Sequence, residues 1–120
     1  MGTTLWVITG ILAAAMFMAG VMKAVKGKAG IEEKMPWTED FSDGQIRAIG
    51  AAEVLGAVGL VVPPLTNIAP ILAPIAAACL ALLMLGAAYT HFRRNEMGSI
   101  VPNLVFAGMG FTLAYAGLLA

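Results

Sequence analysis

Four stretches of this chain, each roughly 20 residues long and almost free of charge, restrict what it can fold into. A helix of that length crosses a ~30 Å hydrocarbon core with its backbone groups bonded internally. The expectation is an all-α fold, a transmembrane antiparallel four-helix bundle forming one domain over residues 1–120. The helices are expected at about 3–25, 45–62, 70–92 and 102–118, with a polar loop at 26–44. Composition agrees: 12% of residues are charged, where a soluble domain carries about 25%. Net charge is zero, so no face for nucleic acid is expected. The opening MGTTLW has no basic region, so no cleaved signal peptide is expected. Position 6 is Trp, which breaks the myristoylation pattern.

The second stretch, Arg47–Pro64, is the most informative. It is rich in small residues and contains one acid, Glu53. An acid within an apolar span is costly and normally faces a partner or a cavity. Glu53 lies eight residues past Gln45, about 12 Å along a helix axis. Ala48, Ala52 and Gly56 recur every four residues, with Gly59 beyond, a stripe that lets helix backbones approach. Gly10, Ala14, Gly20 and Ala24 offer the same on helix 1, and Gly108, Gly110 and Ala114 on helix 4. Pro63 and Pro64 are expected to end helix 2. Cys79 is a lone thiol in an apolar block, expected to pack as a small hydrophobe.

The polar loop reads KGKAGIEEKMPWTEDFSDG. Ser42-Asp43-Gly44 can cap the next helix. Trp37 has two readings: an anchor on the membrane surface, or a lid folded back over the bundle. All seven Lys and Arg residues lie in or beside the first and third loops. Basic loops stay inside, so these loops are expected to be cytoplasmic and both termini outside. Alternating helices then place Lys23, Arg47, Glu53, His91 and Asn103 in the same half of the bilayer. In a four-helix bundle they can converge on a pocket beneath Trp37, with Glu53 deepest and Lys23, Arg47 and His91 as its candidate charge partners. Taken separately, Lys23 and Arg47 would snorkel to headgroups, and His91 would complement a helix C-terminus.

Much chemistry is excluded. One cysteine builds no thiol relay, one histidine no bis-histidine haem site, and no metal site is expected. The glycines are spaced for helix packing, not for phosphate.

Lys23 closing helix 1, RAIGAAEVLGAVGLVVPP at 47–64, IAPILAPIAA at 68–77 and THFRRNE at 90–96 resemble the DoxX-like family of small four-helix membrane proteins. The family's Trp-rich first loop is represented only by Trp37. The family takes its name from a subunit of a thiosulfate:quinone oxidoreductase, and relatives are described as membrane partners of redox enzymes or as chaperone-like and cargo-related membrane proteins. The resemblance implies an integral membrane protein, of the bacterial inner (plasma) membrane. Its expected role is a non-catalytic subunit or scaffold associated with an oxidoreductase. The expected contacts are membrane lipids, a bound quinone or lipid, and a redox enzyme or other membrane protein. The small-residue faces also leave room for a homo-oligomer.

Two other functions stay open. One is a proton-coupled exporter like the small multidrug resistance transporters, although in those the acid lies on the first helix. The other is a membrane enzyme using Glu53 and His91 as an acid–base pair.

Overall fold

Capping, glycine and two left-handed residues set the helix boundaries. The computed structural model describes residues 2–119. Helix α1 spans Thr3–Ile31, a 3₁₀ turn Pro36–Asp40, α2 Asp43–Thr66, α3 Leu72–Arg93 and α4 Met97–Leu118. The cap expected around Ser42 is a full capping box: Ser42 Oγ accepts from the Gln45 N–H, and Gln45 Oε1 accepts from the Ser42 N–H.

Three boundaries differ from the sequence reading. Helix α1 continues to Ile31, but through a break at Gly27, whose φ of 65° only glycine adopts easily. Helix α2 does not stop at Val62. It carries Pro63 and Pro64 and ends at Thr66, with Asn67 left-handed at φ 56°. Each proline forgoes a bond to the carbonyl four residues back, that of Gly59 or Leu60, while its fixed φ suits a helix. The Thr66 hydroxyl donates to the Val62 carbonyl at 2.8 Å. Helix α4 starts at Met97, ahead of Pro102, so the turn from α3 is only residues 94–96, with Asn95 left-handed at φ 58°.

Helices α1 and α2 pack closely, as do α3 and α4; the α2–α3 seam is looser and α1 barely touches α4. The first hairpin closes at a glycine pair. A Cβ built on Gly50 would lie 2.5 Å from the Gly20 carbonyl oxygen, and one on Gly20 would lie 2.6 Å from that of Gly50. The buried face of α2 is Ile46, Gly50, Glu53, Ala57 and Leu60. Ala48 and Ala52 are exposed, whereas Gly56 and Gly59 of the same stripe meet Leu80 and Ala76 of α3, so only the later half of the stripe packs. On α1, Gly10 and Ala14 also face outward, and only Gly20 of that set is buried. Gly108 of α4 faces open space, whereas Gly110 meets Ala77 and Ala81 of α3.

Leu12, Met16, Leu60, Leu80, Met84 and Leu113 form the centre of the core. Outside it every helix presents large apolar side chains, among them Met18, Leu55, Leu82 and Val105. A shell this extensive matches hydrocarbon, and all four helices are long and apolar enough to cross a membrane. The chain is an integral membrane protein.

Gly50→Ala is expected to cost about 1–3 kcal/mol through overpacking, read as a lower thermal unfolding temperature in mild detergent. Gly108→Ala is expected to be neutral or to stabilise by up to about 1 kcal/mol.

Candidate functional site

The break at Gly27 strips hydrogen-bond partners from the last turns of α1. Two side chains at the start of α2 replace them. Asp43 Oδ1 accepts from the Lys28 N–H at 2.8 Å, and Arg47 Nη1 donates to the carbonyls of Ala24 at 2.7 Å and Val25 at 3.3 Å. Arg47 Nε also bonds Asp43 Oδ2 at 2.9 Å. Arg47 is thus committed to repairing a helix end and does not reach Glu53.

Lys23 and Glu53, each three residues past a glycine of the Gly20–Gly50 contact, flank that crossing, and there the hairpin buries its charges. Lys23 Nζ donates to Glu53 Oε1 at 2.7 Å, and the two side chains are 11% and 1% exposed. Close backbones are what let the short carboxylate reach α1. Lys23 Nζ also lies 5.8 Å from the centre of the Trp37 ring, within cation–π range. Trp37 meets Phe41 edge-on at 5.7 Å and His91 at 6.4 Å. Of its two readings, the structure places Trp37 folded back over the bundle end.

That segment is tied down by the turn between α3 and α4. Arg94 Nη1 bonds Glu39 at 2.7 Å and Asp40 at 3.1 Å, and Arg94 Nε lies 3.2 Å from Glu96. Hydrogen bonds from Glu39 first, then Glu96 and Asp40, raise the guanidinium pKa. His91 Nδ1 lies 2.9 Å from Glu96 Oε1. That bond, with a further contribution from Arg94, holds the Glu96 carboxyl below the usual carboxylate range.

These groups enclose a cavity of about 530 Å³ between α2 and α3, under the 3₁₀ segment. Lys23, Trp37, Glu53, His91, Glu96 and Ser99 line its polar side. Leu82, Leu83 and Ala87 supply apolar wall. Of the residues the sequence brings together, Lys23, Trp37, Glu53 and His91 share this cavity. Arg47 and Asn103 do not line it; Asn103 Nδ2 donates to the Ser99 carbonyl of its own helix at 3.0 Å. Sequence reasoning missed Lys34, Thr90, Glu96 and Ser99 in the lining, and Arg94 and Asp43 in the bracing around it. Glu96 had a signal, five residues past His91, where a short turn returns it to the ring. A second cavity of about 480 Å³ at the opposite end is bordered by Leu5, Leu60, Pro74 and Leu113. Thr9, its hydroxyl-bearing residue, donates that hydroxyl to the Leu5 carbonyl.

A family model described as the DoxX-like family matches residues 7–118, nearly the whole chain. No curated protein and no solved structure matches it.

Lys23→Met leaves Glu53 buried and unpaired, and is expected to cost about 3–5 kcal/mol. Adding Glu53→Leu should recover most of that loss, measured by thermal unfolding in detergent. Because the Glu96 pKa is lowered in the folded chain, its contribution is present above the usual carboxylate range and disappears as pH falls through the lowered value. Trp37 emission, followed in a Trp6→Phe background, should shift red over that acid range, and Glu96→Gln should weaken the transition.

Proposed function

The chain belongs to the DoxX-like family, and on that premise we propose that it is a membrane binding subunit or scaffold. Its cavity holds a lipid-like or quinone-like amphiphile, and its charged loops dock a membrane partner, an oxidoreductase by family analogy. The observation that carries this reading is the buried Lys23–Glu53 pair lining a cavity of about 530 Å³ with apolar walls. Ligand sites commonly measure about 300–1,000 Å³ and combine apolar walls with a few placed polar groups. The loose α2–α3 seam gives a tail a way out toward the bilayer. By family analogy the membrane is a bacterial inner membrane, and the distribution of Lys and Arg supports charged loops in the cytoplasm and termini outside.

Purification in mild detergent, followed by lipid extraction and mass spectrometry, tests the reading. One amphiphile should be retained in near-stoichiometric amount. Glu53→Gln should lower its retention by about tenfold, the equivalent of about 1.4 kcal/mol. An empty cavity, or retention indifferent to Glu53, overturns it.

A further inference from the structure

The cavity holds one imidazole, and half of its hydrogen bonding is already assigned. His91 Nδ1 lies 2.9 Å from Glu96 Oε1. A carboxylate only accepts, so Nδ1 carries the hydrogen. In the neutral ring this leaves Nε2 as an acceptor. Arg94, 3.2 Å from Glu96 Oε2, reinforces the carboxylate form. The neighbouring pair offers both kinds of group: the second oxygen of Glu53 accepts, and the Lys23 ammonium, with one N–H on Glu53 Oε1, has further donors.

Charge narrows the ligand further. The charged side chains lining the cavity are Lys23, Lys34, Glu53 and Glu96, two of each sign. A balanced wall favours a neutral head, and acceptors at His91 and Glu53 beside the Lys23 ammonium favour a hydroxyl, which both donates and accepts. Trp37, set edge-on to both Phe41 and His91, offers surface to a flat ring.

We propose that the cavity takes a neutral amphiphile whose head is an aromatic hydroxyl, with His91 Nε2 accepting the hydroxyl's hydrogen bond. Glu96 is a positioning residue: it holds the imidazole in the accepting tautomer. This inference rests on the amphiphile-binding reading and specifies the chemistry of the head.

The test uses the full chain in mild detergent, in a Trp6→Phe background so that Trp37 quenching reports binding. The probes are 4-nonylphenol and its methyl ether, which keeps ring and tail but cannot donate. The phenol should bind about tenfold tighter or more, as sites built around a hydroxyl reject analogues lacking it. His91→Phe should bring the phenol down to the affinity of the ether. Glu96→Gln should lower phenol binding more than ether binding and so narrow the preference, whereas a purely structural role would weaken both probes alike. Equal binding of the two probes to the parent chain overturns the hydroxyl inference and leaves the amphiphile reading standing. No binding of either probe overturns both.

Discussion

The bond between Lys23 and Glu53 places two opposite charges where neither would be stable alone. A lone charge at mid-membrane depth costs a few kcal/mol by insertion measures. At 2.7 Å the pair offsets much of that cost, provided the helices come close enough. The Gly20–Gly50 crossing supplies the closeness. Each feature requires the other: bulk at the crossing would part the ammonium from the carboxylate, and loss of either charge would leave its partner stranded. The same stripe of α2 carries Ile46, Gly50, Glu53, Ala57 and Leu60, so the acid belongs to the packed face.

This tight hairpin stands against a second one, α3–α4, across a looser seam. Helices that touch less leave space, and at the charged end that space is roofed by the 3₁₀ segment. The C-terminal end of this roof is held from two sides, by α1 and by the turn after α3. Lys28 Nζ donates to the Phe41 carbonyl at 3.0 Å, while Arg94 grips Glu39 and Asp40. The exposed members of these pairs are individually weak. Their value lies in fixing where Trp37 sits, and Trp37 joins the Lys23–Glu53 pair to His91.

Much of the fold was legible in advance, because span length and charge-free runs report directly on helices in hydrocarbon. The site was legible in part. Glu53 announced itself by depth, and Lys23 and His91 by lying at the same end. Arg47 looked equally suited to Glu53, yet the break at Gly27 leaves carbonyls that need a donor, and Arg47 serves them. Nothing in residue spacing reveals that need. The every-fourth stripe misled at Ala48 and Ala52, because small residues also face lipid harmlessly, while its Gly56 and Gly59 do pack on α3. The 46-50-53-57-60 spacing was present but ran through a charged residue, which a hydrophobic pattern passes over.

The amino-acid sequence by itself determined four spans, their alternation, the end at which the polar residues gather and the membership of an acid in that group. Each follows from the local cost of placing polar groups in hydrocarbon, which depends on residue type and depth alone. Tertiary structure decided that Lys23 rather than Arg47 answers Glu53, that His91 turns to Glu96, and that Trp37 closes over them. Those choices depend on helix rotation, on one glycine break and on a three-residue turn. All of these are set by packing between segments far apart in the chain.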